Sequence, residues 1–211
     1  MKGVQVVEAF RSIQGEGLWT GIPALFVRLT GCNLACSYCD TKHSWKEQGT
    51  MVSLDDIVGV LQDWNVVVFT GGEPLLQREE LVPMALELRT MGVDVHVETN
   101  GTIELSESDV DAFAWITVSP KDPDDLGPGL FYANELKVLC GQGAFSAEQV
   151  TDVWNVMTER LVPIPVVVQP LEVDDDDETA SNIKMAVDVV KRIGNIHVRV
   201  GVQVHKLMGW Q

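Results

Sequence analysis

Three cysteines lie close together in the chain, with the spacing Cys-x3-Cys-x2-Cys at Cys32, Cys36 and Cys39. They fit in a single loop, so their sulfurs can bind one metal centre. A structural zinc site has four protein ligands, and an electron-transfer iron–sulfur cluster has four thiolates. Three thiolates on a four-iron cluster leave one iron with an open coordination position. The spacing therefore predicts a cluster that binds a substrate or a cofactor at its free iron.

The same loop allows other interpretations. A zinc ion is an alternative if Asp40 or His43 provides a fourth ligand. A disulfide with one spare thiol is disfavoured, because no secretory signal peptide opens the chain and disulfides are rare in the cytosol. A cytoplasmic location is therefore expected. The fourth cysteine, Cys140, stands alone and is interpreted as a buried thiol.

The elements that must position this loop alternate between strands and helices. Strands are predicted at residues 4–10, 24–29, 65–69, 93–97, 115–118, 135–139, 165–168 and 196–202. Helices are predicted from Ser53 to about residue 63, over 78–91, from Ser146 to about residue 157, and in the stretch that Gly194 ends. This alternation indicates βαβ units, but too few for a closed eight-stranded barrel. The predicted fold is α/β, a partial (β/α) barrel with a mainly parallel sheet, in one domain of residues 1–211.

Polar motifs follow most of the predicted strands. Because active sites of parallel α/β folds lie at the carboxyl ends of the strands, these motifs are expected to face one mouth. They are the cysteine loop, Gly71-Gly72-Glu73-Pro74, Glu98-Thr99-Asn100-Gly101, Ser119-Pro120-Lys121, Gln169-Pro170 and His205. Arg28 interrupts an otherwise apolar strand, and a buried guanidinium needs an anionic partner. That partner is either an internal acid such as Glu16 or a substrate carboxylate, and we favour the substrate.

Composition limits the possible partners. The 211 residues include 31 Asp and Glu against 15 Lys and Arg, a formal net charge of −16. Such an excess of negative charge repels phosphate backbones and anionic membranes, so we expect neither nucleic acid nor a membrane as a partner. No apolar run approaches the length of a membrane span. A small-molecule substrate fits this composition better.

In its cysteine spacing, and in a Gly-Gly-Glu-Pro segment about thirty residues later, the chain resembles the radical S-adenosylmethionine (SAM) superfamily. The resemblance implies a [4Fe-4S] cluster whose free iron chelates SAM, and an electron that cleaves SAM to a 5′-deoxyadenosyl radical. Within that superfamily the chain is similar, along almost its whole length, to the 7-carboxy-7-deazaguanine synthase family. The landmarks are Gln14-Gly15-Glu16-Gly17, Cys39-Asp40-Thr41-Lys42-His43, Thr70-Gly71-Gly72-Glu73-Pro74, Glu98-Thr99-Asn100-Gly101, Val118-Ser119-Pro120-Lys121, Asn134-Glu135-Leu136-Lys137, Gln169-Pro170 and Gln203-Val204-His205-Lys206.

The family resemblance implies a substrate, 6-carboxy-5,6,7,8-tetrahydropterin, from whose C6 the radical abstracts a hydrogen. Ring contraction and loss of ammonia then give 7-carboxy-7-deazaguanine, and SAM is regenerated. The resemblance also implies Mg2+, bound by the substrate and Thr41, and it makes Asp40 a catalytic residue beside the three cysteines. The residues that it assigns to pterin binding are Ile13, Gln14, Gly15, Glu16, Arg28, Thr70 and His205. The residues that it assigns to SAM binding are Tyr38, Asp40, Gly72, Glu98, Ser119, Lys121, Gln169, Pro170, Leu171 and Glu172.

The resemblance carries three further expectations. In the family the C-terminal carboxylate reaches the pterin, which assigns Gln211 to the substrate site. The family also implies a homodimer. An electron donor such as a flavodoxin or a ferredoxin is expected to reduce the cluster.

Two alternatives stay open at this point. A glycyl-radical-enzyme activase shares the three-cysteine spacing but acts on a protein partner and has no need of Thr41 or Arg28. A zinc- or iron-binding interaction module is the non-enzymatic alternative. Metal analysis separates it from the enzyme, because about four iron and four sulfide per chain support the enzyme and one zinc does not.

Overall fold

The computed structural model describes residues 3–45, 48–159 and 163–210, and in these ranges strands alternate with helices along most of the chain. The strands are β1 (Val4–Ile13), β2 (Pro23–Leu29), β3 (Thr50–Val52), β4 (Val66–Gly71), β5 (Asp94–Thr99), β6 (Trp115–Val118), β7 (Glu135–Cys140), β8 (Val166–Pro170) and β9 (Val198–Val200). The α-helices are α1 (Leu54–Leu61), α2 (Arg78–Thr90), α3 (Glu107–Val110), α4 (Ala147–Thr158), α5 (Asp176–Ile193) and α6 (Val204–Met208). Short 3-10 helices cover Lys42–Trp45, Pro74–Gln77 and Pro128–Phe131.

These strands form one sheet in the order β3-β1-β2-β4-β5-β6-β7-β8-β9. β1 runs antiparallel to β2 and to β3, and every later neighbouring pair, from β2–β4 to β8–β9, is parallel. Among the described residues β3 and β9 lie at opposite edges and do not pair, so the barrel is open. The predicted partial (β/α) barrel with a mainly parallel sheet is thereby confirmed. The antiparallel edge was not predicted.

Strand β4 shows why the sheet needs apolar residues on both faces. Val67 and Phe69 belong to the large core between the sheet and the helices, whereas Val66 and Val68 pack with Phe26 on the other face. A parallel strand covered on both sides needs a continuous apolar run, and residues 66–69 of this strand are all apolar. Phe26, in this second, smaller cluster, also lines the cavity that the strand ends surround.

Local signals set most helix ends. Ser53 and Ser146, predicted as helix starts, each accept a hydrogen bond from a backbone N–H three residues later and complete a capping box. Gly194 closes α5 in the left-handed conformation, also as predicted. β1 is longer than predicted and continues to Ile13, because it pairs with β2 as far as Pro23. β3 and α6 were not predicted, since elements of three and five residues show too little periodicity.

Candidate active site

The carboxyl ends of the parallel strands meet at one edge of the sheet and surround a cavity of about 430 Å3. The strand register aligns these ends, since Leu29 pairs with Gly71 and Thr99 pairs with Val118. The loops that follow the strands therefore come together, as parallel α/β sheets require. The cavity has the size typical of small-molecule sites.

Most of the site residues predicted from the sequence line this one cavity. They are Ile13, Gln14, Gly15, Glu16, Arg28, Cys32, Cys36, Tyr38, Cys39, Asp40, Thr41, Thr70, Gly72, Glu98, Ser119, Lys121, Pro170, Leu171, Glu172 and His205. Gln169 does not line it, because its side chain is buried against Gly201, where an added Cβ would lie 2.3 Å from Gln169 Oε1. Gln211 lies outside the described residues. The residues assigned to the cluster, to SAM and to the pterin thus share one cavity.

Backbone hydrogen bonds hold the cysteine loop, which begins directly after β2. The Gly31 N–H donates to the Ser44 carbonyl at 2.8 Å, and the Glu73 N–H donates to the Gly31 carbonyl at 2.7 Å. Gly72 has no room for a side chain, because an added Cβ would lie 2.1 Å from the Gly31 carbonyl oxygen. The cysteine loop and the glycine turn after β4 are therefore in direct backbone contact. Their occurrence together in the sequence reflects this contact.

The donor set of the loop fits a [4Fe-4S] cluster. Cys32, Cys36 and Cys39 are free, partly exposed thiols that all line the cavity, and Cys32 Sγ accepts a hydrogen bond from the Leu34 N–H at 3.4 Å. No group of three His, Cys, Asp or Glu side chains within the described ranges is arranged around a single metal ion. Three thiols on one cavity wall are the protein ligands that a [4Fe-4S] cluster with one open iron requires, each binding a different iron.

Glu73, which follows the two glycines, is fully buried and joins two strand ends. Its Oε1 accepts from the Thr99 hydroxyl at 2.7 Å and from the Leu75 N–H at 3.0 Å, and its Oε2 accepts from the Asn100 N–H at 2.7 Å. Burial raises the pKa of Glu73, and these three donors oppose the rise. The carboxylate thereby fixes the turn after β4 against the loop after β5, on one wall of the cavity.

Three residues that the resemblance assigns to SAM contact one another beside the cysteine loop. Lys121 Nζ donates to Ser119 Oγ at 2.6 Å, and the Tyr38 hydroxyl donates to the Lys121 carbonyl at 3.3 Å. Burial and the neighbouring ammonium of Lys137 together lower the pKa of Lys121 to about 8. A buried ammonium at the cavity wall favours a ligand with an anionic group, because a buried charge needs a partner.

Polar side chains on or directly after β1, β2, β4 and β5 form another part of the cavity wall. Glu98 accepts hydrogen bonds from Gln14 Nε2 at 3.0 Å and from Thr70 Oγ1 at 3.1 Å. Arg28 donates from Nε to Glu8 Oε1 at 2.7 Å. The internal acid that pairs with Arg28 is therefore Glu8 and not Glu16, the example suggested by the sequence. Arg28 also lines the cavity, where a guanidinium with five N–H donors can bind a further carboxylate.

Two residues not predicted as site residues, Lys137 and Gln203, hold Glu16. Lys137 Nζ donates to Glu16 Oε2 at 2.5 Å, and Gln203 Nε2 donates to Glu16 Oε1 at 2.6 Å. Burial raises the pKa of Glu16, but Lys137 and Gln203 more than offset this effect and bring it to about 2. Burial lowers the pKa of Lys137, but the Glu16 carboxylate reverses this and raises it above its usual value. The pair therefore stays ionised at neutral pH.

Glu135 is a further buried acid that sequence reasoning missed. It lies two positions before Lys137 on β7, and its Oε2 accepts from the Leu18 N–H at 2.8 Å. Burial raises the pKa of Glu135 to about 7, nearby carboxylates add to this rise, and the Leu18 N–H and Lys137 oppose it. A signal for both residues is present in the sequence, since two charged residues alternate with the apolar Leu136 and Val138. In a strand this alternation places both charged side chains on one face.

Comparison with known proteins identifies the family. Residues 26–183 match the family model of the radical SAM superfamily. The 7-carboxy-7-deazaguanine synthase of Escherichia coli (strain K12) is 32% identical over 197 residues, which cover 80% of this chain and 85% of that protein. The enzyme of the same name from Hyperthermus butylicus is 42% identical over 130 residues, which cover 60% of this chain and 55% of that protein. The match spans only about half to two thirds of several such relatives, with 55%, 45% and 65% of their lengths covered.

Solved structures agree with this match. The crystal structure of QueE from Escherichia coli has a TM-score of 0.73 and 27% sequence identity, and the similarity covers 96% of this chain and 94% of that chain. Streptococcus suis SuiB, solved with bound S-adenosylmethionine, has a TM-score of 0.52 at 15% identity, covering 81% of this chain and 45% of that chain, a likeness of fold alone. The chain belongs to the radical SAM superfamily and, within it, to the 7-carboxy-7-deazaguanine synthase family.

Proposed function

We propose that the protein is a radical SAM lyase that converts 6-carboxy-5,6,7,8-tetrahydropterin to 7-carboxy-7-deazaguanine with loss of ammonia. The observation that carries this proposal is the single cavity at the strand ends. The cysteine loop and Gly72 form part of its wall, and Glu16, Arg28 and His205 form another part. An enzyme of this superfamily must bind its substrate next to its SAM, and one shared cavity meets that requirement.

The cluster-binding and SAM-binding roles follow from family membership and from the donor set. Cys32, Cys36 and Cys39 would hold a [4Fe-4S] cluster, which, with SAM bound, supplies a 5′-deoxyadenosyl radical. Lys121 and Ser119 would bind polar groups of SAM, because their hydrogen-bonded side chains line the same cavity. The tight contact between Gly72 and the cysteine loop would keep this part of the wall in place.

The pterin-binding roles follow from charge and hydrogen-bonding capacity. Arg28 would bind the substrate carboxylate, since a guanidinium can form two parallel hydrogen bonds with it. Glu16 would accept hydrogen bonds from N–H groups of the pterin ring, a role that requires an ionised carboxylate. Its pKa of about 2 provides this at neutral pH. Gln14 and Thr70 add further polar groups to the same wall, next to Glu98.

A magnesium site at Thr41 is a further part of the proposal. The Thr41 hydroxyl lines the cavity 3.6 Å from Cys39 Sγ, and the Asp40 carboxylate is its neighbour in the chain. Mg2+ prefers oxygen ligands and takes only one or two of them from the protein, with the rest from substrate and water. One hydroxyl with a nearby carboxylate suits an ion that is completed by the substrate.

The broader setting of the enzyme is also proposed. We place it in the cytoplasm, because three thiolates that must bind a cluster need a reducing compartment. No helix in the described stretches has both the length and the apolar character needed to span a membrane. One continuous sheet supports a single domain over the chain. The proposals that the protein is a homodimer and that an electron donor such as a flavodoxin or a ferredoxin reduces it are based on the family resemblance.

The test is anaerobic turnover by the reconstituted protein. Incubation with SAM, dithionite, Mg2+ and the carboxy-tetrahydropterin should produce the deazaguanine acid, and the protein should hold about four iron and four sulfide. Cys36→Ala should lose the cluster and the product. Cys140→Ala is the matched control, because Cys140 is a free thiol buried in the core that does not line the cavity, and this variant should keep both. A fully loaded protein that cleaves SAM but forms no deazaguanine acid would refute the assigned substrate.

A further inference from the structure

Glu16 connects three distant parts of the chain. Its carboxylate binds Lys137 on β7, 121 residues away, and Gln203 just before α6, 187 residues away. Both side chains of the ion pair are largely withdrawn from water, with 14% of Lys137 and 16% of Glu16 exposed. A charge-assisted hydrogen bond in such surroundings is strong and directional. The position of Glu16 in the cavity is therefore set from outside its own loop.

The C-terminal segment rests on the same loop. The Val204 N–H donates to the Gly15 carbonyl at 2.9 Å. The imidazole of His205 covers Gly15 so closely that an added Cβ would lie 2.0 Å from Nδ1. Gln203 thus contacts Glu16, and Val204 and His205 contact Gly15. The segment that carries His205 is therefore linked to Glu16 through Gln203 and to Gly15 through Val204.

Glu16 is not the only carboxylate that acts on the Lys137 ammonium. The carboxylates of Glu98 and Glu135 also raise the pKa of its ammonium, in the same direction as Glu16. Loss of one partner from a buried ion pair leaves an uncompensated charge, which takes up a proton or moves toward water. Without the ammonium, Glu16 would lose the largest of the effects that oppose its burial, and only Gln203 and His205 would remain.

We propose that Lys137 is a positioning residue for substrate binding: it holds the Glu16 carboxylate in place, and through Glu16 it holds the segment from Gln203 to His205 against the cavity. The kinetic consequences rest on the proposed pterin reaction. The structural consequence, an ordered C-terminal segment, does not depend on that reaction.

The kinetic test compares Lys137→Met with Lys137→Arg in the cluster-containing enzyme. Lys137→Met should raise KM for the carboxy-tetrahydropterin about 10- to 100-fold, the size expected for a lost charged hydrogen bond. Although Lys137 lines the cavity, its ammonium is bound to Glu16, so the variant should change kcat less than about threefold and leave SAM binding unaltered. Lys137→Arg should restore most of the affinity, since a guanidinium also binds a carboxylate. Lys184→Met, on the exposed side of α5, is the matched control and should behave as wild type.

Unchanged KM in Lys137→Met would overturn the proposal. So would a loss of kcat with KM unchanged, because that result would place Lys137 in the chemistry rather than in positioning.

Amide hydrogen exchange of the cluster-containing protein without substrate gives an independent readout. In Lys137→Met, peptides from residues 14–18 and 203–210 should exchange about tenfold faster or more, whereas peptides from α2 should be unchanged. Equal acceleration everywhere would indicate a merely structural role and would overturn the proposal, as would no acceleration at either segment. If the wild type failed to turn over the pterin, the assigned reaction would fail, and this exchange pattern would still decide the role of Lys137.

Discussion

Replacing Glu135 with glutamine should make the folded protein less sensitive to pH between 5 and 8. Burial raises the pKa of Glu135 from its usual 4.5 to about 7. Because the folded state binds this proton more tightly than the unfolded state, Glu135 costs no stability below pH 4.5. The cost grows as pH rises from about 4.5 and is complete above about 7. At about 1.4 kcal/mol per pKa unit, the full penalty is about 3 kcal/mol.

Glutamine has no such proton, and its carbonyl oxygen can still accept the hydrogen bond from the Leu18 N–H. The free energy of unfolding of Glu135→Gln minus that of wild type should therefore rise by about 2.5 kcal/mol between pH 5 and pH 8, since a small part of the cost is already present at pH 5. The Glu16–Lys137 pair does not disturb this range. Glu16 loses its contribution only as pH falls from 4.5 through about 2, and Lys137 loses its contribution only above pH 10.5. Other titrating groups are common to both proteins, so their effects cancel in the difference.

Urea unfolding of the cluster-free, reduced protein, followed by tryptophan fluorescence and circular dichroism at several pH values, measures this difference. Glu79→Gln is the matched control, because Glu79 is exposed on the first turn of α2 and should show no such trend. If the unfolding free energies of wild type and Glu135→Gln run parallel from pH 5 to pH 8, Glu135 does not titrate as a buried acid. The reasoning from burial would then be wrong.

Three other substitutions test the cavity wall. Gly72→Ala should push the cysteine loop away and reduce iron content by more than about half. The control is Gly59→Ala on helix α1, where an added Cβ meets open space; it should keep the cluster and raise the free energy of unfolding in urea by about 0.5–1 kcal/mol. Full iron loading of Gly72→Ala would contradict the contact with Gly31. Glu73→Gln should lower the free energy of unfolding by about 1–3 kcal/mol, because both oxygens of Glu73 accept hydrogen bonds and the NH2 group of glutamine cannot accept, which leaves at least one buried donor unpaired. No change in urea unfolding would count against that network. Arg28→Gln should raise KM for the pterin acid about tenfold or more, because it removes the cation assigned to the substrate carboxylate; steady-state kinetics with an unaltered KM would remove Arg28 from the binding site.

Several features of the protein could be predicted from local sequence because the chemistry behind them is local. The three cysteines sit in one short loop, so their spacing alone brings them to one side of a cavity. Ser53 and Gly194 mark helix ends through contacts within a few residues. The alternation of strands and helices restricts the fold to a parallel sheet, and a parallel sheet places its strand ends at one edge. Most of the predicted site residues therefore reach the same cavity.

The pairings between these residues were decided only by the tertiary structure. Arg28 binds Glu8, and Glu16 binds Lys137, because the antiparallel β1–β2 edge and the register of β7 bring these side chains together. Such contacts join residues far apart in the chain, and the sequence pattern does not rank one acid above another as the partner of a given cation. The raised pKa of Glu135 likewise depends on burial by elements that are remote in sequence. Residue types and spacing determined which chemistry is present, whereas packing determined which charges meet, because charge pairing inside a protein depends on three-dimensional distance and on the exclusion of water.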